Sequence, residues 1–308
     1  MPSPTPILHH YEASPYAEKI RLMFGRSSLA WQSLLSPVQP PRPNLDPLTG
    51  GGYRRIPVLQ IGADIYCDSA LIADTLATIS GCNEIASTAG SDTARALALR
   101  AERDVFFCAI SSVPPLRVMR TLLGGFGLIG TYKFVTDRSS MMKGATIKPP
   151  QGDAARKIVS TFKADLNSVL SSTPFLGGEQ PDYTDYCCFH PLWLGSYVSK
   201  KGIEPELPSL GRWYEALLNA GHGARSEITQ ADAFASAREE QPAAVNSTEQ
   251  HELIGKPAGI APADYGIKSV EGILVGLSES TATLARETTQ FGLVHVHFPR
   301  AGYQIVRV

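Results

Sequence analysis

Ser14-Pro15-Tyr16-Ala17-Glu18-Lys19-Ile20-Arg21, then Arg54-Arg55-Ile56-Pro57-Val58-Leu59, then Asp68-Ser69: these three stretches decide the fold. Ser14-Pro15 sets a hydroxyl at a helix N-cap and a proline at the first helical position, the preferred order for opening a helix. Ala17, Ile20, Arg21 and Phe24 follow at helical spacing, and Gly25 is expected to close the helix. Upstream, residues 7–11 have the length and apolar start of a strand, and residues 29–35 supply a second strand. Between Pro37 and Gly52, five prolines and the run Gly50-Gly51-Gly52 cannot sustain a regular helix, so a loop with at most one irregular turn is expected. Residues 56–61 read as a strand, Gly62-Ala63-Asp64 as a turn and residues 65–67 as its hairpin partner. Asp68-Ser69 then caps a helix running through Ile79.

Strand and helix stop alternating near Gly81. Ala94, Ala98, Ala101, Val105 and Cys108 fall on one buried helical stripe, which Pro114-Pro115 breaks or kinks. Further helices are expected over residues 116–135, interrupted by glycines at 124, 125, 127 and 130, and over 154–170, 184–198 and 210–219. A polar stretch, 241–250, reads as a linker into a strand-rich tail with strands at 272–277, 282–287, 293–298 and 303–308. Along the third of these, Val294, Val296 and Phe298 share one face and Leu293, His295 and His297 the other. With no third ligand at readable spacing, the two histidines read as exposed strand residues, and no metal is expected.

Composition narrows the function. The 308 residues carry 28 Lys+Arg and 29 Asp+Glu, a net charge of −1, with 43% hydrophobic residues. That balance fits ordinary globular domains and argues against nucleic acid as a partner, which requires a basic excess. The five cysteines, Cys67, Cys82, Cys108, Cys187 and Cys188, form no C-x2-C pair, and a reduced, cytoplasmic setting is the simplest reading. The opening Met1-Pro2-Ser3-Pro4 lacks the basic and apolar regions of a signal peptide, and no window holds the ~18 uninterrupted apolar residues of a membrane span. No membrane partner is expected.

The order of strand, Ser-Pro-aromatic helix, strand, long loop, Ile-Pro-Val strand, hairpin and Asp-Ser helix resembles the N-terminal domain of the cytosolic glutathione transferases. Pro174-Phe175-Leu176-Gly177-Gly178 followed by Asp182-Tyr183-Thr184-Asp185 looks like that family's loop and capping box, a folding element. The resemblance spans roughly residues 7–219. It implies an α/β plus all-α fold: a thioredoxin-like glutathione-binding domain (1–83), an all-helical bundle domain (90–238), and outside the family pattern a small β-rich extension (251–308). Carried over residue by residue, Ser14 matches the hydroxyl facing the glutathione sulfur in the serine-type classes, and Pro57 the family's cis-proline. Ile56 matches the residue whose backbone pairs with the cysteinyl part, Asp68 and Ser69 the pair holding the γ-glutamyl end, and Arg55 a basic side chain reaching a glutathione carboxylate. Tyr11, Glu12 and Tyr16 are candidates for the pocket of a small hydrophobic electrophile, and Tyr11 and Tyr16 also offer competing hydroxyls. Glutathione as co-substrate and a homodimer are implied as well. The Pro-rich loop stands where the family carries glycine-carboxylate contacts, so that end of the site is left open.

The chemistry implied is coherent. A free thiol has a pKa near ~8.5 and is a few per cent thiolate at neutral pH. Lowering it by about two units takes about 2.7 kcal/mol of preferential anion stabilisation. A hydroxyl donating to sulfur over a helix N-terminus is a source of that amount, with Ser14 as anion stabiliser and not nucleophile. A glutathione-dependent reductase is disfavoured because that chemistry needs a cysteine at position 14. The alternative is a non-enzymatic scaffold that uses the β extension as its partner surface.

Overall fold

The computed structural model describes residues 4–245 and 247–308; Met1, Pro2 and Ser3 of the opening stretch, and Asn246 of the polar stretch, lie outside the described residues. The first unit runs β1 (Ile7–His10), α1 (Pro15–Ser27), β2 (Trp31–Leu35), α2 (Asp46–Thr49), β3 (Val58–Ile61), β4 (Asp64–Cys67) and α3 (Ser69–Ser80). β1 pairs parallel with β2 and antiparallel with β3, and β3 pairs antiparallel with β4, the thioredoxin-like arrangement. Ser14 caps α1 as its spacing predicts, its Oγ accepting from the Ala17 N–H at 3.2 Å. Gly25, however, does not end the helix, which runs on to a left-handed Ser28 (φ 56°). Gly25 is needed for close approach: a Cβ there would stand 2.4 Å from the Gly221 carbonyl oxygen. The Pro-rich loop has the single helical turn α2 and is organised by Arg42, buried to 1% exposure, whose guanidinium donates to the carbonyls of Pro37, Val38 and Arg54.

The helical unit follows as α4 (Asp92–Arg100), a wider turn at Ala101–Val105, α5 (Phe106–Ser111), α6 (Pro115–Met141), α7 (Gly152–Val169), α8 (Tyr183–Ser199) and α9 (Pro208–Leu218). The long α6 bends at Gly127, whose φ of 64° lies outside helical geometry. The capping box of α8 is complete, and Asp185 also accepts from the Leu176 and Gly177 N–H groups and from Trp213 Nε1. No single helix among the described residues is long and apolar enough to cross a membrane.

Beyond α9 the chain returns to the first unit. β5 (Arg225–Glu227) pairs parallel with β2, and α10 (Gln230–Glu239) sits against the strands. Then come β6 (Pro257–Pro262), β7 (Val270–Leu277), β8 (Thr281–Thr288), β9 (Gly292–Pro299) and β10 (Tyr303–Arg307). β9 pairs parallel with β4, so the tail and the N-terminal strands form one ten-stranded sheet in the order β10-β6-β7-β8-β9-β4-β3-β1-β2-β5. One core gathers under α1, α3 and the bundle around Ile72, Phe162 and Trp213; a second forms on the other sheet face around Leu48, Val58, Val296 and Phe298. The reading of His295 and His297 as exposed is corrected: His295 is 8% exposed, and the two side chains are 11% and 12% exposed. The stretch read as a polar linker causes this, because its Ala243 N–H bonds Asp64 on the same sheet face. Further along, Val245 lies so close to Gly276 that a Cβ there would approach it to 2.0 Å.

The two units meet over a charge pair between a buried lysine and a half-buried glutamate. Lys19 of α1, with no exposed surface, lies 2.6 Å from Glu102 and 5.0 Å from the Tyr183 ring centre. Burial works against ionisation, yet the Lys19 ammonium and His190 hold the Glu102 carboxyl well below the usual range. Burial pushes His9 and His190 from 6.5 to about 4. A buried neutral ring takes up its proton on unfolding, so stability is lost as pH falls from 6.5 toward about 4. Glu102 has the same sign in a lower window: its contribution is held above the ordinary carboxylate range and is lost as pH falls through that range. Urea titrations at pH 7 and pH 5 should therefore differ by about 2 kcal/mol for each of the two rings. A His190→Phe chain should lose that ring's share of the pH dependence; an unchanged dependence would remove His190 from this account.

Candidate functional site

Arg55 and Asp68 come together at the amino end of α3, beside the cis Ile56–Pro57 bond and the turn after β6, while Ser14 stands at the amino end of α1. Ser14 is 2% exposed at the start of α1, where unpaired N–H groups and the helix dipole favour negative charge. The Ile56–Pro57 peptide bond is cis. Asp68 caps α3 through the Ala70 N–H at 3.0 Å and holds φ at +80°, a conformation L-residues rarely adopt. Backbone outliers of this kind cluster at functional sites, which marks Asp68 beyond its capping role. Ser69 follows at the first position of α3, 8% exposed.

Arg55 is the centre of charge. Its guanidinium forms an ion pair with Asp264, lies 3.8 Å from Asp68 Oδ2, and donates to the Tyr265 carbonyl at 2.8 Å. It also lies 4.1 Å from the centre of the Tyr265 ring, within cation–π range. Burial opposes its charge, but the neighbouring Tyr265, Tyr303 and Asp264 raise its pKa further above the ordinary arginine value. Asp68 accepts in turn from the Tyr303 hydroxyl at 3.1 Å, and Tyr303 meets the Tyr53 hydroxyl at 3.1 Å.

Tyr16 packs between Phe106 and His190, with ring centres 4.7 and 4.6 Å away. Burial raises its pKa well above that of a free phenol. Tyr11 sits at the edge of the second core. Glu12 is directed elsewhere, onto Arg225 at 2.5 Å and Arg21 at 3.5 Å, and is not brought to the Arg55 group. The cleft is closed from above by the turn after β6: Phe107 meets Tyr265 edge-on at 5.3 Å, the Gly266 N–H bonds the Met141 carbonyl, and the Thr146 N–H bonds the Asp264 carbonyl. Arg54 anchors the end of α6 through Asp137 and Ser140.

Asp264, Tyr265 and Tyr303 were therefore missed as site residues. Their only sequence signal is the turn-like Asp264-Tyr265-Gly266, and nothing local in it names Arg55 as partner. Together these groups offer a helix N-terminus for an anion, a guanidinium between two carboxylates, and aromatic walls against the bundle.

Residues 8–84 match the family model for the glutathione S-transferase N-terminal domain. No curated protein sequence matches the chain. A GST-like protein from Pseudomonas syringae is 32% identical, covers 98% of this chain and 100% of its own, and superposes with a TM-score of 0.71. That coverage includes the C-terminal strands. Gtt2 from Saccharomyces cerevisiae is 14% identical over 69% of this chain and 96% of its own, with a TM-score of 0.48. The URE2P6 glutathione transferase from Phanerochaete chrysosporium, in complex with oxidized glutathione, is 17% identical over 70% and 93%, with a TM-score of 0.44.

Replacing Arg55 by Met should strand Asp264 and Asp68 without a counter-charge and loosen the tail by about 2 kcal/mol, a partly exposed version of breaking a buried pair. Hydrogen exchange in residues 257–307 reads this directly; protection unchanged from the parent would show that Arg55 does not hold the tail.

Proposed function

The chain belongs to the glutathione S-transferase family, and we propose that it binds glutathione and activates its thiolate for attack on a small hydrophobic electrophile. The observation that carries this reading is the pairing of Arg55 with the positive-φ Asp68 beside the cis Ile56–Pro57 bond, in a chain whose Ser14 caps α1. In this reading the Ser14 hydroxyl donates to the thiolate sulfur at the positive end of α1, which lowers the thiol pKa. Asp68 and the start of α3 receive the γ-glutamyl ammonium and carboxylate, and the Ile56 backbone pairs with the cysteinyl part. Arg55 receives a carboxylate in the place Asp264 now holds. The electrophile would lie against Tyr16, Phe106 and Phe107, where water is excluded and the thiolate is the more reactive for it. A homodimer belongs to the same proposal. Since β9 covers the edge of β4, self-association would use another surface, and light scattering reads it.

One observation favours a second reading, a non-catalytic scaffold. Asp264, Tyr265 and Tyr303 already satisfy Arg55 and Asp68, so the cleft can stay closed with no ligand in it.

Calorimetric titration of the full chain with glutathione separates the two. The transferase reading expects saturable binding, at least ~10-fold weaker in Asp68→Ala and about 10-fold tighter in Asp264→Ala, since a competing charged hydrogen bond is removed. Ser14→Ala should bind glutathione nearly as well while turnover falls about 100-fold, the size expected for losing one anion-stabilising donor. No heat from either the parent or Asp264→Ala at ~10 mM glutathione, a concentration that detects affinities weaker than −4 kcal/mol, would sink the transferase reading and leave the scaffold.

A further inference from the structure

The parallel pairing of β4 with β9 sets Asp64 opposite His295 and Tyr66 opposite His297. Residues in register on adjacent strands share a face, so both imidazoles and the carboxylate emerge side by side. Asp64 Oδ1 lies 2.7 Å from His297 Nε2 and 3.9 Å from His295 Nδ1, and one donor atom from each of the three falls within 4.8 Å of the others. An ion with bonds of about 2.0–2.2 Å needs neighbouring donors about 3–3.5 Å apart, so side-chain adjustments of under ~1 Å complete the set.

Two further features point to a ligand. His295 Nδ1 is buried with no hydrogen-bond partner, a cost that protein interiors rarely carry without reason. The outer contacts are those that orient ligands: Thr283 Oγ1 meets His297 Nδ1 at 3.0 Å, Tyr66 stacks on the His297 ring at 4.5 Å, and the Ala243 N–H holds the second Asp64 oxygen at 2.8 Å.

We propose that Asp64, His295 and His297 form a binding site for a divalent first-row transition ion of the zinc class. Two imidazole nitrogens and one carboxylate oxygen suit such ions; calcium and magnesium prefer all-oxygen sets. With the single ring proton of His297 on Nδ1, donated toward Thr283 Oγ1, its Nε2 lone pair and the Asp64 Oδ1 carboxylate oxygen both face the ion. Three protein ligands leave at least one position for water. The site joins β4, β9 and the 241–245 segment, so a bound ion staples the tail to the N-terminal sheet.

The test is titration of the chelator-stripped full chain with Co(II), followed by visible absorption, with Zn(II) as competitor and metal content by mass spectrometry. The expected result is one ion per chain, a tetrahedral or five-coordinate Co(II) spectrum, and a raised melting temperature. His295→Ala and His297→Ala should each weaken binding about 100-fold, and Thr283→Val about 10-fold. Melting curves of the stripped variants report whether they fold. If one does not, ring-nitrogen spectra of the parent decide, because Zn(II) must perturb two of the seven histidines. Failure of the parent to bind at tens of micromolar, binding kept within about threefold in both variants, or unmoved ring signals would each overturn the site.

Discussion

A largely enclosed guanidinium where three chain segments meet must be neutralised, and the C-terminal turn is arranged around meeting that demand for Arg55. Asp68 answers from the start of α3 and Asp264 from the turn after β6, while Tyr265 lies over the guanidinium plane. Because leaving this partly exposed charge unpaired costs about 2 kcal/mol, the turn carrying Asp264 is held beside Arg55 by electrostatics as well as by packing. The same charge is what a carboxylate ligand would seek. In the proposed reading, ligand and tail would compete for one cation, and affinity would be set by the difference between two similar ion pairs and not by either alone.

The second ion pair serves a different end. Lys19 and Glu102 come from different units and lie in a core of Tyr16, Tyr183, His190 and Cys187. Such a pair adds little net stability over apolar side chains of the same volume, but it tolerates very few relative positions of the units that carry it. It ties the bundle to α1 beside Tyr16, which packs on Phe106 and His190.

Much of the fold was legible because its signals are local. A serine before proline, a glycine-rich break, an aspartate before serine and the box of Asp182 and Asp185 each report the conformation of their own few residues. What escaped was pairing at a distance. β5 is only Arg225-Ser226-Glu227, polar and short, and β6 begins and ends in proline, so neither carries a strand pattern. The alternation of β9 was read correctly, yet its histidines are buried because segment 241–245 crosses that face, and no periodicity in either stretch encodes the encounter. The same holds for the cleft: Ser14, Pro57 and Asp68 announce themselves, whereas Asp264, Tyr265 and Tyr303 gain meaning only through register between strands two hundred residues apart.

That separation has a consequence for how the chain is made. β4 is complete by Cys67, but the strand that covers its open edge begins at Gly292. At about 5–20 residues per second, a ribosome takes roughly ten to forty-five seconds to cross the interval. Throughout that time the nascent chain presents Asp64-Ile65-Tyr66-Cys67 as an unpaired edge, the kind of surface on which neighbouring chains pair wrongly. Asp64 places a charge on that strand, and an inward-pointing charge is a usual deterrent to edge-to-edge pairing. A residue that later faces two histidines would thus serve first as a guard during synthesis.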